Sequence, residues 1–147
     1  MSPTPVLLAD GETRLAEFRP DKGRYWRDHG IMAVALMAVA GGALWVMDVP
    51  YPAIGSLGAV LAVGVRAAYL ASETLSLVWT LTDRRLHLPG PNRTINLLDI
   101  KTVRPFLGDV QIITTSGDKH LLKHMADARS VITQITQARD KRARRRN

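Results

Sequence analysis

Between Gly30 and Val65 a single residue, Asp48, carries a charge. The two apolar runs on either side of it are separated only by Asp48 and the Pro50-Tyr51-Pro52 turn. Each run is about eighteen residues long and rises roughly 27 Å as a helix, close to a hydrocarbon core of about 30 Å. In lipid every backbone polar group must be satisfied within its own segment, so such runs are helical. The sequence therefore predicts a membrane hairpin of two helices over residues 29–71.

The basic residues orient that hairpin. Arg14, Arg19, Lys22, Arg24 and Arg27 precede it, Arg66 and a long basic remainder follow, and the connecting loop has no Lys or Arg. The positive-inside rule places both termini in the cytoplasm and the loop outside. Tyr25, Trp26, Trp45, Tyr51 and Tyr69 fall where aromatic rings favour the two interfaces. Arg66 lies near the cytoplasmic exit and snorkels; an ion pathway would need a charge nearer the centre. Gly41, Gly42, Gly55, Gly58, Ala62 and Gly64 let backbones approach, and Gly58 to Ala62 has small-xxx-small spacing. That stripe serves packing within the hairpin or, alternatively, a dimer. Ala38-Val39-Ala40 has the form of a signal-peptidase site. The long leader before it is not net basic, because Asp10, Glu12, Glu17, Asp21 and Asp28 balance its cations, so cleavage is not expected.

The remainder reads as one small domain. From Leu75 the pattern alternates: Leu75, Leu77, Trp79 and Leu81 share one face of a strand, with Ser76, Val78 and Thr80 on the other. A break at Thr82 to Arg85 shifts the parity to Leu86 and Leu88. Pro89-Gly90-Pro91-Asn92, Leu107-Gly108-Asp109 and Ser116-Gly117-Asp118-Lys119 are turns between further strands, the last running from His120 to His124. Turns at this spacing predict a small antiparallel sandwich or barrel. Ala128, Val131, Ile132, Ile135 and Ala138 form one stripe of an amphipathic helix over residues 126–138, suited to plugging the open end of a barrel. A basic tail over residues 141–147 follows. The fold class expected is α+β: a two-helix transmembrane hairpin and a small antiparallel barrel or sandwich closed by a C-terminal helix. The segments are 1–28, 29–71, 72–140 and 141–147.

Four motifs add to this reading. Gly11-Glu12-Thr13-Arg14-Leu15-Ala16-Glu17-Phe18-Arg19-Pro20 resembles the "GE…rP" opening strand of the bacterial pleckstrin-homology-like family. Trp79-Thr80-Leu81-Thr82-Asp83-Arg84-Arg85-Leu86 is similar to that family's "y-x-l-T-n-x-R-l" motif. Ile95-Asn96-Leu97-Leu98-Asp99-Ile100-Lys101-Thr102-Val103 is similar to its "i-x-l-x-d-I-x-x-v" strand, and Ala126-Asp127-Ala128 resembles the start of its closing helix. The resemblance spans most of the chain outside the hairpin. It implies a bacterial inner-membrane protein with a binding or scaffolding domain and no reaction. The part from Leu75 onward is short for seven strands and a helix. Either residues 12–19 supply a strand, or the barrel is open or completed by another subunit.

Function follows from the charges. The chain carries a net charge of +7, and six of its last nine residues are basic. With no cysteine there is no disulfide framework, thiolate metal site or cysteine nucleophile. His120 and His124, on a strand, lie roughly 13 Å apart, too far for one metal. Ser116, Asp118 and His120 lack an oriented base and an oxyanion hole, and turn chemistry accounts for Ser, Gly and Asp. No phosphate loop or dinucleotide fingerprint is present. No enzyme activity and no cofactor are expected. Arg84, Arg85, Arg93, Lys101 and Arg104, at turns and strand ends, are candidates for lipid headgroups or other anions; the alternative is ordinary solvated charge. Arg142, Arg144, Arg145 and Arg146 in the tail are candidates for anionic lipid. Without an aromatic platform or recognition helix, nucleic acid is not expected. The partners expected are membrane lipids and either an integral membrane protein or a second copy of this chain. The function expected is non-catalytic binding or scaffolding at the cytoplasmic face. The alternative is an accessory or assembly subunit of a transporter or energy-converting complex.

Overall fold

The computed structural model describes residues 5–147, so the expected N-terminal segment opens with four residues outside that range. The chain forms two compact units: Lys22–Leu75, and the residues up to Asp21 together with Ser76–Asn147.

The first unit is two helices, α1 (Lys22–Val46) and α2 (Pro52–Leu75). Both are long and apolar enough to cross a membrane. The helices overrun the expected span of residues 29–71 at both ends. Polar residues are compatible with a helix even where they mark the edge of an apolar run. At the start, Arg24 and Asp28 form an i,i+4 pair at 3.1 Å. At the end, Glu73 and Thr74 continue α2, so Leu75 is helical rather than the first residue of a strand. Asp48 and Tyr51 adopt left-handed φ values of 54° and 62° in the connection, and Pro52 takes the first helical position, where its missing N–H costs nothing.

Within this unit Tyr25 Oη donates to the Ala67 carbonyl at 2.7 Å, a buried bond between the helices. Gly41 faces Ser56 and Gly55 faces Leu44, each too closely for an added Cβ to fit without movement. Gly42, Gly58 and Gly64 have no such neighbour. The helix–helix contact thus uses Gly41 and Gly55, and Gly58 to Ala62 lies off it. Alanine at 41 or 55 needs only a rotation of Ser56 or Leu44. A branched residue there overpacks the contact, so Gly41→Val or Gly55→Val is expected to destabilise the hairpin by about 1–3 kcal/mol. Thermal unfolding in detergent checks this, with Gly58→Val expected to change little.

The second unit is mixed α+β. Strands β1 (Arg14–Phe18), β2 (Trp79–Thr82), β3 (Arg85–His87) and β4 (Thr94–Asn96) form an antiparallel sheet in that order. A 3-10 turn at Leu97–Asp99 ends it. Strands β5 (Ile100–Phe106), β6 (Asp109–Thr114) and β7 (Lys119–Leu122) form a second antiparallel sheet, and α3 (Ala128–Arg146) follows. The two sheets do not close into a barrel, because the 3-10 turn redirects the chain between β4 and β5. One core joins both sheets and the helix; Trp79, Leu86, Ile112, Leu122 and Ile135 are among its buried members.

Residues 14–18 do supply a strand, pairing with β2 from Arg14↔Thr82 to Phe18↔Trp79. That pairing makes β2 central, and all four of its residues are buried. Thr80, on the face opposite Trp79 and Leu81, is buried as they are. β7 ends at Leu122, and His124 sits beyond it with a left-handed φ of 57° rather than in a strand. Asp127 caps α3 by accepting from the Ser130 N–H at 3.0 Å. The helix runs on to Arg146 and absorbs the expected tail. No Gly or Pro intervenes, Lys and Arg are good helix formers, and cations suit a helix C-terminus.

Candidate functional site

Site geometry starts at a buried carboxylate. The Glu12 side chain is fully buried just before β1. Its Oε1 accepts from Thr82 Oγ1 at 2.6 Å and Arg85 Nε at 3.1 Å, and lies 3.3 Å from His87 Nε2. Its Oε2 accepts from the Ala9 N–H at 2.9 Å. Burial alone would raise its pKa. The hydrogen bonds from Thr82, the Ala9 N–H, His87 and Arg85 outweigh that and lower it from 4.5 to about 2. Thr82 Oγ1 also accepts from the N–H groups of Arg84 and Arg85 at 3.2 and 3.0 Å, closing the β2–β3 turn. Thr13 and Asp83 are joined by two further bonds, Thr13 N–H to Asp83 Oδ1 at 2.9 Å and Asp83 N–H to Thr13 O at 3.0 Å. The β2–β3 turn is thereby fixed against the opening strand, and its arginines are held in place.

Beside that turn is a groove of about 330 Å³, lined by Arg84, Arg85, Asn96, Leu98, Asp99, Arg142 and Arg146. The β2–β3 turn and the start of β3 supply Arg84 and Arg85, the end of β4 supplies Asn96, the 3-10 turn supplies Leu98 and Asp99, and the last turns of α3 supply the other two arginines. Four guanidiniums line it with the Asp99 carboxylate, and Arg85 is paired to Glu12 behind it, which leaves a surplus of two positive charges. Arg84 Nε is buried without a hydrogen-bond partner among the described residues. A buried donor left unpaired is costly. Guanidiniums grip planar or tetrahedral oxyanions in a bidentate way. The arrangement suits a carboxylate or phosphate cluster. A smaller hollow of about 150 Å³ adjoins the same helix, lined by Thr13, Leu15, Asp83, Ala138, Lys141, Arg142 and Arg145.

Of the residues expected from sequence, Arg84, Arg85, Arg142 and Arg146 converge on the groove, and Arg145 lines the adjoining hollow. The others lie elsewhere. Arg93 reaches the Pro89 carbonyl at 3.4 Å in its turn. Arg104 donates to Gln111 at 2.8 Å across β5 and β6. Lys101 is an exposed β5 residue whose carbonyl accepts from Arg139 at 3.2 Å. Arg144 is exposed and lines neither recess. His120, in β7, and His124, beyond it, do not share a strand. Ser116 donates to Asp118 at 2.8 Å, as turn chemistry requires. Sequence reasoning missed Glu12 and His87 as supports, and Asn96, Leu98 and Asp99 as groove residues.

Comparison with protein-family models, with curated proteins and with solved structures finds no match.

Proposed function

We propose that this chain is a non-catalytic binding protein of the bacterial inner membrane, anchored by the α1–α2 hairpin, with a PH-like domain in the cytoplasm. The observation that carries the binding role is the convergence of Arg84, Arg85, Arg142 and Arg146 on one groove. The apolar windows of the two helices support the anchor. None of the α1 window and only 11% of the α2 window is buried within the protein, whereas a core helix of a water-soluble protein hides its apolar face. Sheets of four and three strands followed by one helix support the PH-like reading, as does the joining of the "GE" opening to the T-x-x-R turn through Glu12.

An acidic or phosphorylated segment of a membrane-associated partner suits a groove lined by four guanidiniums. Purification in mild detergent at low salt is expected to retain a partner, and Arg142→Gln with Arg146→Gln to weaken it about 10-fold or more. A partner retained equally by this double variant would contradict the groove's role.

A second reading, an accessory or assembly subunit of a larger integral complex, is favoured by Gly42, Gly58 and Gly64. Among the described residues no atom lies within 4 Å of where a Cβ would sit at these positions, which leaves room for another helix to approach. It predicts a stoichiometric complex that survives the double arginine change.

A further inference from the structure

The β5–β6 hairpin turns on Leu107 and Gly108, with Phe106 paired to Asp109. Both central residues have positive φ, 48° at Leu107 and 89° at Gly108. Such turns are the domain of Asn, Asp and Gly, because a branched side chain is strained in the left-handed region. Burial could offset that strain, yet Leu107 is 91% exposed and the neighbouring Phe106 41%. The turn therefore holds a strained, apolar residue in water, where asparagine would be cheaper. A strained apolar tip of this kind points to a contact outside the domain.

Hydrogen bonds within the α+β unit locate that tip. Asp109 Oδ1 accepts from the His124 N–H at 2.9 Å, and the His124 carbonyl accepts from the Asp21 N–H at 2.7 Å. Asp21 is the last residue before α1. The tip thus belongs to the end of the domain from which the chain runs into the apolar helices. The arginine groove begins at Asp99, a strand's length away, at the other end of β5. Exposed cations accompany the linked residues: Arg104 two before Phe106, Lys123 beside His124, and Arg19 near Asp21. Aromatic, aliphatic and basic side chains together are the composition of a membrane interface.

We infer that the Phe106–Leu107 tip inserts into the lipid interface and holds the domain against the membrane; the inference rests on the membrane-anchored reading above. The chain has no cysteine, so single labels report cleanly. The full chain is reconstituted in phosphatidylcholine–phosphatidylglycerol vesicles with an environment-sensitive fluorophore on L107C, F106C, V39C in α1 or T115C beyond β6. Quenching by nitroxide lipids is compared with quenching by aqueous iodide. The labels at 107, 106 and 39 are expected to be quenched by lipid and protected several-fold from iodide, and the label at 115 to show the reverse. A label at 107 that behaves like the one at 115, while 39 stays lipid-quenched, overturns the inference and leaves the anchor standing. Protection of 107 from both quenchers means protein covers the tip and overturns it equally. An iodide-quenched label at 39 would sink the anchored reading and the inference with it. Leu107→Asn separates lipid contact from a role in the turn: it suits the backbone, so thermal stability should hold or rise. In that background the label at 106 should lose most of its lipid quenching.

Discussion

Replacing Glu12 by Gln is expected to lower the unfolding free energy of the α+β unit by about 3 kcal/mol. The amide keeps the shape of the side chain but removes its charge, leaving Arg85 and His87 facing a neutral group in a buried position. The magnitude follows from the depressed pKa. A fall from 4.5 to about 2 corresponds to about 3 kcal/mol at roughly 1.4 kcal/mol per unit. The sign fixes the pH window. Because the folded pKa lies below the unfolded one, this stabilisation is complete above about pH 4.5. It fades as the pH falls through 4.5 toward 2. Urea unfolding followed through the buried Trp79 should show that acid decline in the natural protein. In Glu12→Gln the share due to this group should be absent. Equal stability of the two proteins at neutral pH would show that Glu12 is not the clamp described.

Removing the opening strand is expected to cost more. A fragment of residues 76–147 lacks Glu12, loses Phe18 from the core and bares the edge of β2, which β1 covers along its length. The Thr13–Asp83 bonds that brace the β2–β3 turn go with it. An uncovered edge also invites pairing with other chains. The fragment should therefore unfold without a cooperative transition and should aggregate. Fusing residues 9–20 back through a flexible linker should restore a single transition. A stable, monomeric fragment would reduce β1 to a connecting arm.

The two long apolar helices were legible because charge-free runs of that length, parted by Asp48 and the Pro50-Tyr51-Pro52 turn, exceed any ordinary strand. Their ends were not, since Arg24, Asp28 and Glu73 sit as comfortably in a helical turn as outside one. The strand at residues 14–18 shows only weak alternation, and its exposed Leu15 blurs the pattern; the motif resemblance is what singled it out. The Glu12 cluster was beyond reach of local reading, because its partners Thr82, Arg85 and His87 follow 70 to 75 positions later. Among the arginines, residue type identified candidates but not neighbours. Arg84 and Arg146 meet in space only because α3 continues past Ala138, which the narrow apolar stripe did not require. Asn96, Leu98 and Asp99 complete the groove through the 3-10 turn, and neutral or acidic residues at a basic site give no signal of their own.

The orientation of the chain across the membrane tests the account most directly. Single cysteines at Tyr51, in the connection between α1 and α2, and at Asn147, after α3, are treated in intact bacterial cells with a membrane-impermeant thiol reagent. The account predicts labelling at 51 without permeabilisation, and labelling at 147 only after it. Labelling of the cysteine at 147 in intact cells would place the arginine groove outside the cytoplasm and contradict the account.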